Sequence, residues 1–94
     1  MTLRQEIIRL LEEGPHTARE LSQKIGAREK EVLDHLPHVA KSLAAGRHPL
    51  SITPARCLAC GHSFRDRRRF TTPSRCPRCR GERIEPPVFS AHRG

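Results

Sequence analysis

The chain has no tryptophan, no tyrosine and a single methionine; its aromatic side chains are Phe64, Phe70 and Phe89. With 94 residues and so few large rings, apolar burial alone falls short of what a small domain needs, and a covalent or metal staple is expected. No stretch approaches the roughly 18 apolar residues of a membrane-spanning helix. The opening MTLRQEIIRLLEEG is charged throughout, where a secretory signal would carry an apolar core. A cytoplasmic protein without a membrane partner is therefore expected. The chain also lacks a glycine-rich phosphate loop and any recognisable Ser/His/Asp or Cys/His arrangement, so neither an enzyme nor a small-molecule substrate is expected. His16, His35, His38, His48, His62 and His92 are dispersed and read as surface residues rather than as a site.

Acidic residues are scarce in one half only. Residues 1–48 carry eight Lys+Arg against seven Asp+Glu, a net of +1, whereas residues 49–94 carry ten against three, a net of +7. A polyanion such as nucleic acid is the partner this imbalance suggests; a charge that merely maintains solubility is the plainer reading. Missing Tyr and Trp, which stack unpaired bases, place RNA behind duplex DNA.

What the second half does contain is four cysteines in two pairs, Cys57-Leu-Ala-Cys60 and Cys76-Pro-Arg-Cys79, with fifteen residues between them. In a reducing compartment such spacing points to a metal before a disulfide. Two intervening residues let a tight turn aim both sulfurs at one ion about 2.3 Å away. Four thiolates close a tetrahedral shell and leave no position for a reacting water, so the expected metal is one structural Zn²⁺ per chain. Iron in a rubredoxin-like site shares the spacing and stays open as the alternative. Zn²⁺ with four thiolates adds −2 and leaves the second half basic. His62 follows the first pair closely, but the shell is already full.

The first half reads as helices. Leu3, Ile7, Leu10 and Leu11 form one stripe, with Ile8 at its flank, and Gly14-Pro15 stops it. Thr17-Ala-Arg-Glu20 is a capping box opening a second helix with Ala18, Leu21 and Ile25 inward. After Gly26-Ala27 a third helix begins near Arg28, with Val32, Leu36, Val39, Ala40 and Leu43 on its apolar stripe. Pro37 falls inside it; because the stripe keeps its phase, a kinked helix is expected, with a break at Leu36 as the alternative. The run from Thr17 to Leu36 resembles winged helix-turn-helix transcription factors. The outward face of the third helix mixes Arg28, Lys30, His35 and Lys41 with Glu29, Glu31 and Asp34, which is a poor footprint for phosphate.

Leu50 and Ile52 alternate as a short strand, and Ile84, Val88 and Phe89 suggest a second, confined by Pro86-Pro87 to a sheet edge. With ITPARCLACGHSF, PSRCPRC and IEPPVF, the chain resembles small prokaryotic predicted transcriptional regulators that fuse a winged helix to a rubredoxin-like zinc ribbon inserted in the wing. The resemblance implies an α+β fold: a three-helix winged helix-turn-helix body (1–48) and an extended wing (49–89) carrying the four-cysteine ribbon (56–81); the terminal residues 90–94 are expected to be a disordered tail. It implies zinc on Cys57, Cys60, Cys76 and Cys79.

Phe64 and Phe70 are expected to pack the ribbon's own core, with base stacking as the alternative. Between them lie Arg65, Arg67, Arg68 and Arg69. The resulting expectation is a DNA-binding transcriptional regulator. Its nucleic-acid contacts would come from Arg28, Lys30, His35 and Lys41 on the helix and from Arg65, Arg67, Arg68 and Arg69 on the ribbon. A protein-interaction adaptor is the alternative, and a homodimer is compatible with either.

Overall fold

The structure is a computed structural model in which residues 2–46, 49–64 and 70–91 are described. Three helices come first: α1 (Leu3–Glu13), α2 (Ala18–Ile25) and α3 (Glu29–Ala45). Four short strands follow: β1 (Leu50–Thr53), β2 (Arg56–Cys57), β3 (Ile84–Glu85) and β4 (Val88–Ala91).

Each of the first two helices opens with a reciprocal cap. Thr17 Oγ1 accepts from the Glu20 N–H at 3.1 Å, and Glu20 Oε1 accepts from the Thr17 N–H at 3.0 Å. Thr2 and Gln5 make the same pair of bonds at the start of α1. Gly26 ends α2 in the left-handed conformation (φ 79°), its N–H donating to Ser22 O at 2.9 Å. Helix α3 has no side-chain cap at Arg28 and runs without interruption across Pro37. One stripe of each helix turns inward. Ile7, Leu11, Leu21, Val32, Leu36 and Val39 are fully buried, and each such side chain is worth about 1.5–3 kcal/mol.

Phe89 completes that core from the sheet side. Strand β4 pairs antiparallel with β1, Ile52 opposite Phe89 and Leu50 opposite Ala91. On its other edge, Phe89 exchanges two backbone hydrogen bonds of 2.8 Å with His16, in the link between α1 and α2. Strand β4 is thus covered on both sides at Phe89, where an open edge was expected. Pro86 and Pro87 precede it and so remove no ladder donor; they instead divide the expected single segment into β3 and β4.

Three further expectations are corrected. Ser90 and Ala91 belong to β4, paired with Ser51 and Leu50, and not to a loose tail; residues 92–94 lie outside the described residues. His16 is buried, because its backbone closes the sheet. Its Nδ1 donates to Gly14 O at 2.8 Å, and its Nε2 accepts from Lys24 Nζ at 2.9 Å, which satisfies both ring nitrogens. Phe70 leaves the ribbon and packs on the helical core, its ring 5.8 Å from that of Phe89.

Candidate metal centre

The ribbon begins where β1 ends. Strand β2 pairs with β3, Cys57 opposite Ile84, and a bridge joins Arg56 to Ser63. These few bonds fold the chain back on itself at each cysteine pair. Cys57 N–H donates to His62 O at 2.8 Å and Gly61 N–H to Cys57 O at 2.9 Å, closing the first turn. Cys76 N–H donates to Gly81 O and Arg80 N–H to Cys76 O, both at 2.9 Å, closing the second. A bond of 2.9 Å from Leu58 N–H to Arg83 O ties the two turns together.

The result is four sulfurs gathered at one point. Cys57 Sγ lies 3.5 Å from Cys79 Sγ, Cys60 Sγ lies 3.6 Å from Cys76 Sγ, and all four fall within 4.8 Å of one another. Metal–sulfur bonds of about 2.3 Å in a tetrahedron require sulfurs about 3.8 Å apart, so the cluster fits one ion. Cys57 and Cys76 are buried, while Cys60 and Cys79 are exposed, and none of the four is in a disulfide. Gly81 donates its N–H to Cys79 Sγ at 3.4 Å, the kind of contact that orients a ligating thiolate. His62 turns away from ligation: its ring stands edge-on to Phe64 with centroids 4.9 Å apart.

Proton affinities express the same crowding. The Cys60 backbone N–H, with that of Ala59, holds Cys57 down to about 7 against the pull of burial. Cys79 receives the Gly81 N–H, but the neighbouring Cys57 thiol and burial push it up to about 12. Without a cation the cluster can ionise only in part; a divalent metal takes the place of the remaining protons.

The other expected site residues are more scattered. Arg28 caps α3 and Lys30 follows in its first turn, both exposed, and they share a shallow depression with Glu31 and Asp34. His35 is half-buried, and Lys41 is exposed about 9 Å beyond it and about 16 Å beyond Lys30 at 1.5 Å per residue. These four residues do not form one cationic patch. Arg65, Arg67, Arg68 and Arg69 lie outside the described residues. Arg75, Arg78, Arg80 and Arg83, which are not among the expected contacts, are all exposed around the second cysteine turn. Their signal was the arginine that follows Cys79 where glycine follows Cys60.

Two family models match consecutive parts of the chain: a PF0610-like N-terminal domain over residues 2–50 and the PF0610 rubredoxin-like zinc β-ribbon domain over residues 54–93. The solution NMR structure of protein PF0610 from Pyrococcus furiosus is similar throughout. It is 34% identical, with a TM-score of 0.80, over 98% of this chain and 90% of that one. No curated protein matches. The sulfur geometry and the ribbon match agree on the metal: Cys57, Cys60, Cys76 and Cys79 hold one structural zinc.

Proposed function

Since the chain belongs to the PF0610-like family, an N-terminal domain followed by a rubredoxin-like zinc β-ribbon, we propose that it is a non-enzymatic, DNA-binding transcriptional regulator built as a winged helix whose wing carries the ribbon. The bridge between His16 and Phe89 carries this reading. It puts one bridging residue between α1 and α2 against the β1–β4 hairpin, so with β2 and β3 set aside in the ribbon the chain runs helix, bridge, helix, helix, strand, strand. That order is the order of a winged helix, with α3 as the helix offered to a groove and the segment between β1 and β4 as the wing. Nine arginines against three acids between β1 and β4, a net of +6 before the zinc thiolates, then fall on the wing.

Zinc, when bound, supplies no reaction here; it fixes the two turns and so the outline of the wing. Contacts from Arg65, Arg67, Arg68 and Arg69 to phosphates would give a salt slope of roughly −3.6, at about −0.9 per contact on B-DNA. Fluorescence anisotropy of a labelled duplex, titrated with salt, tests this. Binding that weakens steeply with salt is expected; binding that ignores salt, or no binding at low salt, contradicts it.

The acids on α3 favour a second reading. Glu29, Glu31 and Asp34 are exposed beside Arg28 and Lys30, and phosphates would repel them. On that view the chain is an adaptor whose α3 docks a protein. Capture of a defined protein partner that survives nuclease treatment, with no duplex binding, would favour it.

A further inference from the structure

The two cysteine turns have matching backbones and different side chains. In the first, Gly61 closes the turn onto Cys57 with φ 79°; in the second, Arg80 closes it onto Cys76 with φ 59°. Arg80 has the only positive φ outside glycine among the described residues. Glycine occupies this left-handed region freely, whereas a side chain brings Cβ against the following carbonyl. A glycine does follow, at Gly81, but it has a separate task. A Cβ there would stand 3.2 Å from Cys79 Sγ and 3.5 Å from Ala59 Cβ, so close packing over the sulfur requires its absence.

The second turn therefore bears strain that the first avoids, and the Arg80 side chain offsets none of it among the described residues. It is exposed, and its side chain makes no hydrogen bond or ion pair with another described residue. Strain retained at a solvent-facing charged group marks a position that serves binding rather than folding. The surroundings differ in the same sense. Within the first turn Leu58, Ala59 and Gly61 carry no charge, and Arg56 just before it lies 3.9 Å from Glu85. The second is ringed by Arg75, Arg78 and Arg83; Arg75 lies 3.6 Å from Glu82, while Arg78 and Arg83 have no such partner among the described residues.

We propose that the second cysteine turn, through Arg80 with Arg78 and Arg83, grips the phosphate backbone of duplex DNA. The proposal rests on the DNA-binding reading above and assigns part of its contact surface to residues other than the arginines at 65–69. A guanidinium on a turn clamped by metal is held in place before it meets a phosphate, so less of its freedom is lost on contact. The rival role is internal: arginines that only offset the −2 charge of a zinc tetrathiolate.

Zinc-loaded wild type, Arg80→Gly, Arg80→Asn and an Arg78→Gln/Arg83→Gln double variant would be compared by anisotropy on a short labelled duplex across a salt series. Zinc retention against a chelator would be measured in parallel. Arg80→Gly should bind about threefold or more weakly at low salt, with a salt slope shallower by about 0.9, while keeping its zinc as firmly as wild type. Asparagine tolerates the left-handed region without the charge and should behave alike. The double variant should lose about 1.8 of slope and reads the same surface without touching the strained residue. Unchanged slopes in all variants while wild type binds would overturn the assignment and leave the DNA reading standing. Weaker zinc retention with undiminished duplex binding would give the arginines the internal role instead. Wild type that fails to bind any duplex at low salt would overturn the DNA reading itself, and this proposal with it.

Discussion

Between Leu3 and Ala45 the chain buries Ile7, Leu10, Leu11, Leu21, Val32, Leu36, Val39 and Leu43 on three helices, and Phe89 closes over them. Between Ala55 and Glu85 the only buried positions among the described residues are Ala55, Cys57, Pro73 and Cys76. The first region can meet its entropy cost by removing apolar surface from water. The second has no comparable surface to remove. Its ladders are two residues long, its ion pairs are exposed, and its cohesion comes from the zinc. Structural zinc sites contribute about 10–16 kcal/mol in peptide models, enough to replace a missing core. One chain thus uses two sources of folding energy side by side, joined at Phe70 and Phe89.

Substitutions can separate the two. The largest effect is expected from Cys57→Ser, which removes a buried ligand: zinc should fall well below one per chain by elemental analysis, while far-ultraviolet circular dichroism keeps the helical signal. Next, Phe89→Ala attacks the helical side, since a fully buried phenylalanine truncated in a core costs about 3–5 kcal/mol. Chemical denaturation should show the helices melting earlier with zinc still bound. Gly81→Ala sharpens the contrast from the ribbon side. Its new Cβ would press on Cys79 Sγ, and a disturbed second shell commonly costs 10- to 100-fold in metal affinity, read by chelator competition.

The smallest effect concerns the two helix caps. The Thr17 backbone N–H holds the Glu20 carboxyl below its ordinary range. A depressed carboxylate stabilises the fold above its unfolded pKa and loses that contribution as pH falls through the folded value. Because Glu20 is exposed, the loss is small. Gln5 fills the same position in α1 and does not titrate. Glu20→Gln should therefore lower the melting midpoint by about a degree at neutral pH and converge with wild type below pH 4, flattening the pH dependence.

Much of this was open to a reader of the sequence, for reasons that differ by region. The helical stripes and the Thr17–Glu20 box are local patterns, and the cysteine pairs encode a ligand spacing that few other needs explain. The Thr2–Gln5 box carried the same signature in TLRQ and was passed over. The partnership of Phe70 with Phe89 was not legible, because local pattern says nothing about which core a ring nineteen positions away will join. Nor was the strand role of His16, since a single bridging residue has no periodicity. Pro86-Pro87 suggested an edge, but two prolines just before a strand cost it nothing. Arg80 was visible as a departure from the glycine of the first turn, yet its left-handed backbone was not.

Removal of the metal tests the division most directly. Residue-resolved amide hydrogen exchange should be recorded on the zinc-loaded protein and again after a strong chelator. The amides of Cys57, Leu58, Gly61, Cys76 and Arg80, all hydrogen-bonded in the two turns, should lose protection, while those of Ile7, Leu11, Leu36 and Val39 keep theirs. A body that opens together with the ribbon, or a ribbon that stays protected without its metal, would contradict the account.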